Sequence, residues 1–190
     1  MFRLRKIFAF IFVTCVVFVN ASEKSENYKE IRKWTSSGWS ISKECFDFIR
    51  KVLPEGKTLL ELGSGWASGQ FSKFYTVYSI EDNKKWLNRY NTNYIYAPIK
   101  ESWYDPEVLK SKLPKHYDLI LVDGPTGGVG RTGFLKYLEL FNIDVPIIFD
   151  DVHHKPWHDL MVDVANKLNR EYAVFCDSFD KKFGIIFVKD

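Results

Sequence analysis

Thr58-Leu59-Leu60-Glu61-Leu62-Gly63-Ser64-Gly65-Trp66-Ala67-Ser68-Gly69 is the stretch that decides the fold. Thr58 to Leu62 is short and nearly all apolar, the composition of a strand buried on both faces. Gly63 and Gly65 let the backbone turn sharply and approach a ligand, and a helix beginning near Trp66 aims its free N–H groups at that place. Two glycines alone fit a tight turn without a ligand equally well. Eighteen residues after Gly63, however, the next apolar run ends at Ile80-Glu81-Asp82. A carboxylate there stands where a ribose presents its two hydroxyls, for charge-assisted bonds of about 1.5–3 kcal/mol each. Asp82 also reads as an acid capping a helix from Asn83. The glycine turn and Glu81 together predict a nucleoside-bearing cofactor, with Glu61, Gly63, Ser64, Gly65, Ser68, Glu81 and Asp82 as candidate contacts.

Outward from this stretch, apolar runs and amphipathic patterns alternate. Strands are predicted at Thr76–Ile80, Tyr94–Ala97, Tyr117–Val122 and Val145–Phe149, and helices at Asn83–Tyr90 and Arg131–Phe141. Two more helices open with proline at the first helical position, at Asp105-Pro106 and Lys155-Pro156. Upstream, Ser40 is a plausible N-cap for a helix carrying Ile41, Cys45, Phe48, Ile49 and Val52, ended by Pro54-Glu55-Gly56. The last two strands, Tyr172–Ser178 and Phe183–Val188, are joined by Phe179-Asp180-Lys181-Lys182, too short for a crossover helix, so they pair antiparallel. The expected fold is α/β: a Rossmann-like, doubly wound, seven-stranded sheet, mostly parallel with an antiparallel C-terminal strand.

The chain has 190 residues, with 27 Lys+Arg against 24 Asp+Glu, three Cys and 46% hydrophobic residues. That is one globular domain, and it excludes a disordered chain, a repeat array and a disulfide scaffold. Arg3, Arg5 and Lys6 precede the apolar run Ile7 to Val19, broken only by Thr14, and Val19-Asn20-Ala21 supplies small residues at its exit. Residues 1–21 therefore read as a signal peptide or a short anchor, 22–40 as an N-terminal arm carrying Trp34 and Trp39, and 41–190 as the catalytic domain. The basic start puts everything after Ser22 across a membrane, in the secretory-pathway lumen or exported. Without those three residues, 24 basic side chains face 24 acidic ones. A neutral domain argues against nucleic acid as the main partner and leaves membrane contact to the N-terminal segment alone. Lys84-Lys85 and Lys181-Lys182 read as short solvated pairs, and Cys45 and Cys176 as either one disulfide or two buried thiols.

The dinucleotide fingerprint wants Gly or Ala where this chain has Ser68, and it does not require an acid before the turn. The residues TLLELGSGWAS, the acid at Glu81, YDLILVDGP and the antiparallel finish resemble class I S-adenosylmethionine-dependent methyltransferases, over about Ile41 to Asp190. The resemblance implies S-adenosylmethionine as cofactor, with Glu61, Gly63 and Gly65 lining its methionine and ribose side and Glu81 holding the ribose. Ala67 departs from the third glycine many members carry.

The acceptor side is more individual. The fourth predicted strand ends at Asp123-Gly124-Pro125 and the fifth at Asp150-Asp151-Val152-His153-His154, with His158 beyond. In a parallel sheet these ends are neighbours, and three carboxylates in one crevice repel unless protonated, paired or bound to a cation. Asp123, Asp150 and Asp151 are thus candidate ligands of a divalent cation, and Asp123, Asp150 and His153 candidate catalytic groups. The arrangement is similar to cation-dependent O-methyltransferases of the catechol and caffeoyl-CoA type, although Asp150-Asp151 stands where those carry Asp-Asn. It is also similar to the lumenal plant glucuronoxylan 4-O-methyltransferases, through Asp123-Gly124-Pro125, Gly130-Arg131 and Asp151-Val152. The resemblance implies O-methylation of a glycan or other small hydroxylated acceptor.

An aliphatic hydroxyl lies about nine units from ionisation at pH 7, roughly 12 kcal/mol, so it loses its proton during attack, helped by a base or a metal. A phenol, about three units away, is within reach of His153 or Asp123 alone. Arg131 either anchors an acidic acceptor group or pairs with Glu139 on its own helix. Gly127-Gly128-Val129-Gly130 reads as a mobile lid, and Trp103-Tyr104 and Trp157 either stack on a sugar or belong to the core. A metal-independent methyltransferase and a silent binding module of the same fold are the alternatives.

Overall fold

The structure, a computed structural model, describes residues 40–126 and 128–189. The 1–21 segment, the arm before Ser40 with Trp34 and Trp39, and Gly127 of the expected lid lie outside them. Five helices are described, α1 Lys43–Val52, α2 Trp66–Phe71, α3 Pro106–Lys112, α4 Gly133–Lys136 and α5 Lys155–Leu168. The strands are β1 Thr58–Leu62, β2 Thr76–Glu81, β3 Asn93–Tyr96, β4 Ile99–Lys100, β5 Trp103–Tyr104, β6 Leu119–Val122, β7 Ile147–Phe149, β8 Tyr172–Cys176 and β9 Lys182–Ile186. Among the described residues no helix is long and apolar enough to cross a membrane.

Seven strands form one sheet in the order β3-β2-β1-β6-β7-β9-β8, while β4 and β5 make a separate short hairpin. All pairs from β3 to β7 are parallel, and β9 lies antiparallel between β7 and β8. Composition sets that ending. Four of the five β9 residues, Phe183 to Ile186, are buried, whereas β8 alternates exposed and half-buried positions along the edge. The chain runs outward from β1 to β3, then crosses to β6 and β7 on the other side of β1. The order therefore reverses between β1 and β6, and a crevice for ligands opens beyond the carboxyl ends of that pair.

Alternate residues of each strand feed two apolar layers. Leu60, Leu62, Ile80, Ile120, Val122, Ile147 and Phe149 share one cluster with Leu109 of α3 and Leu160, Met161 and Val164 of α5. On the other side, α1 sets Phe46 against Phe71 of α2 and Phe48 against Phe175 and Phe183. Each such side chain, fully buried, is worth about 1.5–3 kcal/mol.

Several local expectations need correction. Asn83–Tyr90 forms turns instead of a helix: the Asn83 side chain accepts the Lys85 N–H at 3.0 Å, and Asn88 sits at φ +60°. Asparagine side chains compete in this way with the helical ladder. Arg131–Phe141 is split into α4 and a single 3₁₀ turn, Leu138–Leu140, the break falling at Tyr137, whose backbone leaves the helical region at φ −114° and ψ 31°. The N-cap of α1 is Ser42, whose hydroxyl accepts the Cys45 N–H at 3.2 Å, rather than Ser40. Both described cysteines are free, Cys45 buried and Cys176 exposed.

Candidate active site

The turn after β1 is fixed by its neighbours. Gly63 has φ +90°, and a Cβ there would lie 3.0 Å from the Gly124 nitrogen and 3.1 Å from its Cα. The first turns after β1 and β6 thus touch backbone to backbone, which only glycine permits. Ser68 Oγ accepts the Gly65 N–H at 2.9 Å, and Ser64 Oγ lies 3.2 Å from it and donates to the Tyr94 hydroxyl at 3.3 Å. These two serines hold the turn in shape.

Glu81, at the end of β2, is nearly buried. Its two oxygens accept separate backbone N–H groups, one from Ser64 and one from Asn83, each at 2.8 Å. Burial pushes its pKa up, opposed by these two bonds. The carboxylate that sequence placed at a ribose is therefore anchored to the glycine turn itself. Asp82 is half-buried and, with no helix at Asn83, caps nothing; burial raises it too. Glu61, one residue before the strand ends, is buried on the same face of the sheet as its register partner Ser79, whose hydroxyl it accepts. Burial pushes it up to about 8, so it carries its proton at neutral pH.

Beyond β6 and β7, Asp123 and Asp150 continue the ladder by one residue, donating their N–H groups to Leu62 and Val122 at 3.1 Å each. Asp151 follows at φ +62°, a left-handed conformation that turns its side chain back beside theirs. One carboxylate oxygen from each of the three lies within 4.8 Å of the others. The convergence expected from sequence is present, and so are two cations that sequence did not assign to it. Arg131, 4% exposed, donates to the Asp150 carbonyl at 3.0 Å, to Asp151 Oδ2 at 3.0 Å and to Asp123 Oδ1 at 3.4 Å. Glu139 is not its partner. Lys181 Nζ lies 2.7 Å from Asp150 Oδ2 and 3.2 Å from Asp151 Oδ1, and donates to the Ser40 carbonyl at 3.0 Å.

The charges follow from this geometry. Burial and the facing Asp123 carboxylate push Asp150 up to about 8. Burial also raises Asp123. For Asp151 burial is overcome by Lys181 and Arg131, which hold it below the usual carboxylate range, and the same carboxylates raise Lys181. Two cations thus face three carboxyl groups. Oxygen donors of this kind suit a hard divalent ion, which takes six or more ligands at about 2.0–2.6 Å. Arg131 and Lys181 already lie against both Asp151 oxygens, Asp123 Oδ1 and Asp150 Oδ2, while Asp150 Oδ1 is buried without a partner. With four of the six oxygens taken, the set as it stands does not fit a metal.

The histidines lie at the rim. His153 is exposed and accepts the Lys182 N–H through Nδ1 at 3.4 Å, and burial and His154 lower its pKa against the pull of Asp151. His154 occupies the N-cap of α5, and His158 lies 3.8 Å from Asp159. Trp103 and Tyr104 are core residues, 1% and 0% exposed, so neither stacks on a ligand at the surface. Trp157 is half-buried, with Arg131 5.4 Å above its ring and the Gly130 backbone alongside.

No family model and no curated protein matches the chain. Solved structures do. A Staphylococcus aureus protein provisionally assigned as a caffeoyl-CoA O-methyltransferase superposes with a TM-score of 0.57 at 15% identity, over 90% of this chain and 93% of its own. The fold is that of class I methyltransferases. An SAH-bound methyltransferase from Podospora anserina gives 0.55 at 14% identity over 94% and 100% of the two chains. A methyltransferase from Pyrococcus furiosus gives 0.53 at 13% over 87% and 98%.

Within the methyltransferase fold, the seven residues expected at the cofactor gather around the β1 and β2 ends, and the three aspartates around the β6 and β7 ends. Lys181 is the member of the cluster that sequence reading missed. Its only signal was position, in the connection that brings β9 back beside β7.

Proposed function

We propose that this protein is an S-adenosylmethionine-dependent methyltransferase that O-methylates a glycan or other hydroxylated small molecule, on the lumenal or exported side of a membrane. The observation that carries the reading is the Glu81 carboxylate, bound by the Ser64 and Asn83 N–H groups beside the Gly63–Gly65 turn, where the strand order reverses. The backbone approach of Gly63 to Gly124 locks the turns after β1 and β6 together, which fixes the position of the glycine turn beside Glu81. Bound S-adenosylmethionine supplies an electrophilic methyl group on a sulfonium. Glu81 would hold the ribose hydroxyls, and Glu61, Gly63 and Gly65 would line the methionine and ribose side.

Across the crevice, Asp123 is the base best placed for the acceptor hydroxyl, since its side chain is partly exposed while Asp150 is buried behind it. Its raised pKa suits proton acceptance. With the cofactor bound, its methyl group would go to the acceptor oxygen, and Asp123 would take up the acceptor proton. The 41–190 domain, with 20 basic against 21 acidic side chains, favours an acceptor other than nucleic acid, and the basic and apolar N-terminus favours the lumenal or exported setting.

The test is transfer of labelled methyl from S-adenosylmethionine by the full-length chain, in detergent, to acidic xylan, neutral glycans and catechols. Base-stable label on one hydroxylated acceptor supports the reading. Cofactor binding without transfer to any of them would move the chain to the silent binding modules.

A further inference from the structure

We propose that the Lys181 ammonium, seconded by Arg131, is the resident cation of the Asp123/Asp150/Asp151 cluster, so that this site is held in shape and works without a divalent metal. The inference rests on the reading of the β6 and β7 ends as the acceptor side of a methyltransferase site. Three carboxylates that converge within 4.8 Å need positive charge among them. Lys181 Nζ supplies it at 2.7 Å from Asp150 and 3.2 Å from Asp151, on the side away from Arg131 Nη2, which takes the other Asp151 oxygen. Both Asp151 oxygens are therefore occupied, one by each cation.

Lys181 is also built into place. The connection between β8 and β9 closes on Asp177, whose Oδ1 accepts the Phe179 N–H at 2.8 Å and the Lys181 N–H at 2.9 Å, while the Asp177 N–H donates back to the Lys181 carbonyl at 2.8 Å. The ammonium then spends its remaining donor on the Ser40 carbonyl. A solvated lysine has no use for such a brace. Here it delivers one positive charge to the point where a metal would collect the same oxygens, making Lys181 a positioning residue for Asp150 and Asp151.

The experiment is titration of the full-length chain with Mn²⁺, read from the free-ion magnetic resonance signal, for wild type, Lys181→Met, Lys181→Arg and Lys181→Met/Asp151→Asn. Wild type and Lys181→Arg are expected to bind Mn²⁺ no better than about 1 mM, and Lys181→Met at least about tenfold tighter, with the gain lost in the double variant. Tight Mn²⁺ binding by wild type overturns the proposal, as does a folded Lys181→Met with no gain. If Lys181→Met does not fold, wild type with Asp151→Asn decides alone, since a metal site in wild type would vanish in that variant. Calorimetry with S-adenosylhomocysteine in parallel separates the two readings. Absence of cofactor binding refutes the methyltransferase reading whatever Mn²⁺ does, and tight Mn²⁺ binding with intact cofactor binding refutes only this one.

Discussion

Replacing Glu61 by Gln isolates one buried proton. Glu61 is 2% exposed, and burial raises its pKa from an ordinary 4.5 to about 8 in the folded chain. Between those values the folded state keeps the proton while the unfolded chain has released it. Stability contributed by this group is therefore full below pH 4.5, falls as pH rises, and levels off above about 8. The slope is about 1.4 kcal/mol per pH unit, so moving from pH 5 to pH 7 costs the wild type about 3 kcal/mol from Glu61 alone. Gln keeps the size of the protonated acid and an oxygen for the Ser79 hydroxyl, but does not titrate. Urea denaturation of both proteins at pH 5, 6, 7 and 8 gives the difference, in which titration of Asp150 and the other carboxylates cancels. The variant is expected to gain on the wild type by about 3 kcal/mol across that range, or on the order of 5–10 °C in melting temperature. Parallel pH profiles for the two proteins would refute the reasoning, because they would mean that Glu61 is ionised in the folded state.

Two further outcomes follow from contacts at the strand ends. Gly124→Ala places a Cβ 2.5 Å from the Tyr104 hydroxyl and 2.8 Å from Gly63 Cα, so overpacking of about 1–3 kcal/mol is expected in thermal melts, with weakened cofactor binding. Asp123→Asn removes the proposed base: kcat/KM for the acceptor should fall by about 10²–10⁴ while S-adenosylhomocysteine binds as before in calorimetry.

How far sequence reading reached depends on how local the governing interactions are. The sheet was readable because β1, β6 and β7 are apolar runs buried on both faces, and Glu81 because its distance from the glycine turn fixes its place at a strand end. Asn83–Tyr90 carries a helical pattern of Trp86, Leu87 and Tyr90, yet asparagine turn chemistry overrides it. Arg131 was read within its own helix, where Glu139 is near in sequence, but α4 begins only at Gly133, and Arg131, ahead of it, faces Asp151, twenty residues on. Lys181 looked like half of a solvated pair with Lys182, since nothing local reveals that β9 returns beside β7 and carries it to Asp150. The burial of Trp103 and Tyr104 is likewise a long-range fact, set by packing of the β4–β5 hairpin against Gly133 and Gly124.

The central claim, a nucleoside cofactor held by Glu81 at the β1–β6 reversal, is tested most directly by calorimetric titration of the full-length chain with S-adenosylhomocysteine, for wild type and Glu81→Ala. The account predicts micromolar binding by the wild type, weakened in the variant by about 1.5–3 kcal/mol for each ribose bond lost, beyond detection if both are. No binding by a folded wild-type protein, or equal binding by both, would contradict it.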